Sequence, residues 1–279
     1  MPVTVPDVIE ALFVAWQDPR ERRFHAVGRL AYLPDDNGGL YEFAYIRGAQ
    51  EATGTGFRPF LAFPDLGRVY RSRELFPFFA NRLMPRSRPD FAEYLSWLDL
   101  DPGTATPIQV LGRGGGARVT DEVELFPLSE FDAVLGGYRT YFLVHGLRYM
   151  PPSSQERVLQ LRVGEQLYWY HDCQNPVDPR AIALRTDDRH NVGFIPAYLL
   201  GDAWNLLQQC AFIDAYVARV SPSPAPLQQR LLCEMRSCWP DDFVPFAAQR
   251  FQPLSSEARI VSARPGHHAA AGRAAGASG

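Results

Sequence analysis

The 279-residue sequence contains no lysine, and all 28 of its basic residues are arginine. Against 31 acidic residues they leave a formal net charge of -3. That balance excludes a protein that coats polyanions by bulk charge, since such proteins carry a clear basic excess. Any nucleic-acid contact must therefore be local. Arginine suits a local contact, because its planar fork pairs with phosphate through two hydrogen bonds and stacks on bases. The missing lysine and the Ala/Gly-rich tail together read as coding bias in a GC-rich genome. No apolar run approaches the ~20 residues that a bilayer-spanning helix needs. The start, Met1-Pro2-Val3-Thr4-Val5-Pro6-Asp7, has no positive segment followed by an apolar one. The expectation is a cytoplasmic protein without a membrane partner. Cysteine is scarce: Cys173, Cys210, Cys233 and Cys238 form no CxxC pair and no zinc-ribbon spacing with histidine. Packed thiols are expected rather than disulfides or metal ligands, and no cofactor is implied.

What is present is ample material for packing, 46% hydrophobic and 13% aromatic, over a length that suits two compact units. Leu12 to Trp16, Phe24 to Tyr32 and Leu40 to Ile46 read as strands separated by Asp18-Pro19-Arg20 and Asp35-Asp36-Asn37-Gly38-Gly39 turns. A helix interrupted at Pro77 is expected within 74–83. Another is expected from an N-cap at Ser87, with Phe91, Tyr94, Leu95 and Leu98 at helical spacing. Gly112-Arg113-Gly114-Gly115-Gly116 lacks the Gly-Lys-Ser/Thr ending of a phosphate loop and reads as a hairpin or linker. Val119 to Phe126 reads as a strand that closes an N-terminal unit, 1–135.

Gly136-Gly137 marks the next boundary. From there to Pro240, short strands at Tyr138 to Leu147, Leu167 to Tyr170, Ala181 to Arg185, Val192 to Ile195, Phe212 to Val220 and Leu227 to Ser237 alternate with two short helices, a composition that fits a compact barrel. The first helix is expected from a Ser153-Ser154-Gln155-Glu156 capping box. After Pro240 the pattern fades into an extension, 241–279, whose Ala, Gly and Ser from about residue 263 are expected to be disordered. The predicted class is thus a β-rich α+β protein.

Three pieces stand in order in the second unit: Gly146-Leu147-Arg148-Tyr149; the run from Asp172 through Asn175-Pro176-Val177-Asp178-Pro179 to Ile182; and Val192-Gly193-Phe194-Ile195-Pro196. Together they make residues 138–240 resemble the HIRAN domain, named for helicase-like transcription factors and found also as a stand-alone bacterial protein. The resemblance implies a small OB-like β-barrel that binds nucleic acid without catalysis, taking single-stranded DNA or a DNA 3′ end in repair or in genome or plasmid defence. It implies that Arg148 meets a phosphate, that Tyr149 stacks on or flanks the terminal base, and that Asp178 accepts a hydrogen bond from the terminal hydroxyl. The second aromatic of the family pattern is Met150 here, which stacks poorly, and the histidine after the Val-Gly pair is Phe194, which can stack. The same residues have structural uses: Asn175 and Asp178 cap backbone amides in such turns, and Arg148 can pair with Asp172 or Asp178. Ten arginines against nine acids between residues 138 and 240 predict modest, salt-sensitive affinity.

The N-terminal unit resembles the N-terminal subdomain of HipA-type kinases, on Val27-Gly28-Arg29-Leu30, Gly39-Leu40-Tyr41-Glu42-Phe43-Ala44-Tyr45 and Phe78-Phe79-Ala80-Asn81-Arg82-Leu83-Met84-Pro85. It implies a protein-interaction or antitoxin-like role towards a HipA-type kinase, beside helicase or nuclease partners. A third reading, a metal-dependent nuclease, rests on Asp172, Asp178, Asp187, Asp188 and His190. Arg68, Arg71, Arg73, Arg82, Arg86 and Arg88 either extend a nucleic-acid track or form a solvated face.

Overall fold

The computed structural model describes residues 10–21, 23–35, 39–116 and 121–259. Strands β1 (Glu10–Gln17), β2 (Phe24–Leu33), β3 (Leu40–Tyr45), β4 (Tyr70–Ser72) and β5 (Val123–Pro127) form an antiparallel sheet in the order β4-β3-β2-β1-β5. Leu12 and Val14 of β1 point into one apolar cluster, while Phe13 and Ala15 point into another. Because strand side chains alternate faces, β1 is apolar from Ala11 to Trp16, as befits a sheet covered on both sides. Helices α1 (Arg47–Thr53) and α4 (Pro107–Gly114) cover the first face through Ala49, Ala52, Ile108 and Leu111.

Four expectations for this unit change. The helix around Pro77 starts there, as α2 (Pro77–Ala80), because proline at the first helical position costs no hydrogen bond. Helix α3 (Phe91–Trp97) begins past Ser87 and Pro89, with Asp90 at its N-cap. The glycine run is the end of α4, capped by a Thr106–Gln109 capping box. A Cβ on Gly112 would stand 2.7 Å from Leu12 Cδ2, so the glycine lets the helix lie close on the sheet. The strand expected from Val119 starts at Val123; residues 119 and 120 lie outside the described residues.

The second sheet runs β10-β9-β8-β11-β12-β7-β6. Its strands are β6 (Glu130–Asp132), β7 (Gly137–Leu143), β8 (Gln166–His171), β9 (Ile182–Arg185), β10 (Asn191–Phe194), β11 (Ile213–Val220) and β12 (Leu231–Ser237). It curls until the chain beyond β7 meets β10. His145 and Phe194 exchange backbone hydrogen bonds of 2.9 and 2.8 Å, which closes six strands into a barrel and leaves β6 as an appendage. The expected helices are α5 (Pro152–Val158), entered through Pro151 without the predicted side-chain cap, and α6 (Leu200–Gln209). No helix among the described residues is long and apolar enough to cross a membrane.

Three of the four cysteines depart from the packed-thiol expectation: Cys173 is exposed, and two others are bonded, leaving Cys233 as the buried thiol. β11 and β12 pair from Ile213 opposite Ser237, so the residues just outside that pairing converge, and Cys210 and Cys238 form a disulfide with Cα atoms 5.8 Å apart. Closing a loop over 28 residues stabilises by about 3.5 kcal/mol in the chain-entropy model. Replacing both cysteines with serine is expected to lower the unfolding free energy by about that amount, measured by urea titration without reductant; coincident transitions would contradict it.

The pattern that fades after Pro240 in sequence is well packed up to residue 259. Phe243, Phe246 and Phe251 enter the core shared by Phe13, Phe126 and Tyr138, so this stretch is mortar between sheet and barrel. Pro253 bridges Ile46, and the Arg259 amide donates to the buried Glu42 carboxylate at 2.9 Å. The segment expected to be disordered from about 263 lies outside the described residues.

Candidate functional site

The three motif pieces meet at one end of the barrel. β8 runs into the 172–181 turn and β9 leaves it. β10 is antiparallel to β9, so Phe194, opposite Ala183, ends at that same rim. Phe194 in turn pairs with His145, and the chain then enters Gly146-Leu147-Arg148-Tyr149. Gly193 makes this closure possible: its φ is +129°, and a Cβ there would lie 2.4 Å from the His145 carbonyl oxygen. Gly146 turns the chain off the sheet at φ +77°, where a Cβ would come 3.0 Å from the Phe194 ring. Gly146→Ala is expected to destabilise the fold by about 1–2 kcal/mol, through left-handed strain, and to shift the Phe194 ring. Thermal unfolding checks the first effect, and an unaltered melting point would refute it.

The tight turn after Gly146 buries Leu147 and projects Arg148 and Tyr149 outward. Tyr149 is 72% exposed. The Arg148 guanidinium lies 4.7 Å from its ring centroid and donates to its hydroxyl at 2.6 Å. Neither Asp172 nor Asp178 pairs with Arg148 among the described residues. Met150 packs half-buried against the barrel core, and its carbonyl accepts from Gln155 at 3.0 Å.

Asn175 is committed to the turn itself. Its side-chain oxygen accepts from the Val177 and Asp178 amides at 3.0 and 3.2 Å, and its amide donates to Asp172 at 3.0 Å. Asp178 accepts from the Arg180 amide at 2.8 Å through Oδ1, while Oδ2 has no partner among the described residues. Trp204 of α6 pins the turn from below: its indole donates to the Arg180 carbonyl at 3.0 Å and its ring meets His171 at 4.9 Å. The result is a rigid turn with one carboxylate oxygen to spare.

The sequence cluster behind the nuclease reading comes apart. Asp172 and Asp178 sit at this rim, whereas Asp187, Asp188 and His190 occupy the β9–β10 turn at the opposite end. There Asp188 pairs with Arg157 at 2.9 Å; hydrogen bonds from Thr186 and Arg157 hold its carboxyl at about 2. Among the described residues no three His, Cys, Asp or Glu side chains converge as metal ligands would. Most of the arginine cluster is engaged: Arg71, Arg73, Arg82 and Arg88 pair with Glu42, Asp35, Asp121 and Asp90, Arg86 donates to the Ala105 carbonyl, and exposed Arg68 lies 5.2 Å from the Tyr70 ring.

Sequence reasoning missed His145 and Glu124, which tie the rim to the N-terminal unit. Glu124 of β5 meets the His145 imidazole at 3.1 Å. Burial opposes charge on His145, but the Glu124 carboxylate outweighs it and raises the imidazole's pKa. The pair therefore stabilises most fully below about pH 6.5, and its contribution is lost as pH rises through the raised value. Tyr198, just past the Pro196 motif, stacks on Phe126 at 3.8 Å and 5°.

Residues 138–236 match the family model of the HIRAN domain. The match does not extend to the N-terminal unit. Two solved structures are similar. One, a protein from Lactobacillus plantarum, is 21% identical, with 36% of this chain and 96% of that one covered at a TM-score of 0.29. The other, the HIRAN domain of human HLTF, is 22% identical, with 37% and 76% covered at 0.28. No curated protein matches the chain.

Proposed function

Residues 138–236 are a HIRAN domain, a domain of DNA-binding proteins, and we propose that its rim holds the 3′ end of a single DNA strand without cleaving it. The observation that carries this reading is the exposed Arg148–Tyr149 pair, held at the same rim as the 172–181 turn. The phenol offers a face for the last base, where stacking contributes about 1–3 kcal/mol. The guanidinium, free of carboxylate partners among the described residues, meets a phosphate. The spare Asp178 oxygen accepts from a terminal 3′ hydroxyl, which a continuing strand lacks. Phe194 supports the loop from behind, and Met150 and Asn175 shape the rim rather than touch the strand. A role in repair or genome defence follows from an end-binding activity.

The test is fluorescence anisotropy with single-stranded oligonucleotides ending in a 3′ hydroxyl or a 3′ phosphate. Binding of the hydroxyl form, weakened about tenfold by the phosphate because its charge faces Asp178, is expected. Equal affinity for both ends would remove the end-specific part of the reading. A folded sample that binds no DNA at low salt would remove the whole of it.

A further inference from the structure

The β1–β2 hairpin of the N-terminal unit lies against both halves of the rim. At its base, the Phe24 ring is 5.9 Å from that of His145, the residue preceding Gly146. Beside it, the Arg23 guanidinium reaches the Val177 carbonyl at 3.4 Å, at the apex of the Asn-Pro-Val-Asp-Pro turn. A segment 154 residues away in sequence thus borders the surface on which the HIRAN domain presents Arg148, Tyr149 and Asp178.

The hairpin is held in shape. The buried Asp18 accepts from the Arg20 amide at 2.8 Å, and its own amide donates to the Arg23 carbonyl at 2.8 Å. Arg20 and Arg23 are both exposed. Arg23 has one loose carboxylate neighbour, Glu21 at 3.7 Å, with both side chains more than half exposed; such pairs contribute little and exchange readily for phosphate. The side chain of Arg20 has no partner among the described residues, and neither does that of Arg180, which follows Asp178 in the turn. This contrasts with Arg71, Arg73, Arg82 and Arg88 of the same unit, each tied to a carboxylate. Arg20, Arg23 and Arg180 are therefore open to a phosphate at this rim, as Arg58 and Arg68 are elsewhere on the N-terminal unit. The acids among the rim arginines are Asp18, Glu21, Asp172 and Asp178, of which Asp18 is buried and holds the Arg20 amide and Asp172 is engaged by Asn175.

We infer that the N-terminal unit is part of the nucleic-acid site: Arg20 and Arg23, with Arg180, contact the phosphates of the strand 5′ of the end held by Arg148, Tyr149 and Asp178. The inference rests on the end-binding reading above and adds a second contact region outside the HIRAN domain. It makes the bound length greater than the barrel alone provides, within the ~4–16 nucleotides typical of small barrels, and it adds to the salt dependence that Arg148 gives the near-neutral barrel.

Length-dependent anisotropy on the full chain tests it, using 5′-labelled oligothymidylates of about six and about sixteen nucleotides. Arg20→Gln with Arg23→Gln is expected to weaken the longer strand about tenfold and to lower its salt slope by about 1.4, two phosphates at ~0.7 each. The shorter strand should change less than about twofold. Arg20→Gln alone, which removes a side chain without protein contacts, should weaken the longer strand about threefold, so a folding defect in the double variant does not decide the matter. If both lengths bind the variants as tightly as wild type while Arg148→Ala still weakens both, the inference fails and the end-binding reading stands. If both lengths weaken equally, the hairpin supports the rim rather than the strand, and the inference again fails. If wild type binds neither length, the end-binding reading itself has failed.

Discussion

Arg148→Ala combined with Tyr149→Ala is expected to weaken binding of a short 3′-hydroxyl strand about 30-fold or more. The size follows from two losses. Removing the ring forfeits a stack of about 1–3 kcal/mol, at about 1.4 kcal/mol per tenfold. Removing the guanidinium forfeits one phosphate, lowering the salt slope by about 0.7. Both side chains are exposed on a turn whose buried anchor, Leu147, is untouched, so the melting point should stay put. Tyr149→Phe is a finer probe. It keeps the stacking face but deletes the hydroxyl that accepts from Arg148, so it should retain most of the affinity. A double variant within about threefold of wild type would mean that the strand lies elsewhere.

Asp202→Asn is expected to remove most of the pH dependence of stability near neutrality. Asp202 stands in the first turn of α6, 7% exposed, and accepts from the Phe246 amide at 3.0 and 3.3 Å. Burial lifts its carboxyl to about 7, against the pull of that amide and of Arg250. An acid with a raised folded value makes the native state hold a proton that the unfolded chain has already released. Stability therefore falls as pH rises from about 4 to about 7, by up to about 4 kcal/mol for a shift of this size. Asparagine stays neutral and keeps an oxygen for the Phe246 amide. Urea unfolding at several pH values should give a variant more stable than wild type above pH ~7 and about equal to it near pH ~4. Parallel curves for the two proteins would show that Asp202 does not carry the buried charge.

Most strands were legible because their apolar and β-branched residues cluster between turn residues, and β1, β2, β3, β8, β9, β10 and β11 appear within a few residues of expectation. Helix α4 was hidden by Gly112 and Gly114, which read as a linker although Thr106 and Gln109 spell a capping box. The glycines belong there for packing, since a Cβ on either would collide with Leu12 or Tyr94. The arginine run around Arg71 looked like a track, because a sequence shows charges and not their partners; Glu42 and Asp121 lie 29 and 39 residues from the arginines they hold.

The motif residues carry their own local explanation. Asn-Pro-Val-Asp-Pro makes its turn locally, by side chains capping amides two and three residues on, and Gly146 and Gly193 mark backbone that only glycine adopts without strain. To that extent the sequence pointed to the barrel, and its resemblance to the HIRAN domain singled out Arg148, Tyr149 and Asp178. What the tertiary structure decided is everything set by pairs distant along the chain. It closed the rim through His145 and Phe194, joined Cys210 to Cys238, and split the five-residue acidic cluster between opposite ends of the barrel. It also laid Arg23 against Val177 and drove the 241–259 stretch into the seam between the two units. These contacts depend on where sheets curl and pack, which is a property of the assembled core and has no local signature in the chain.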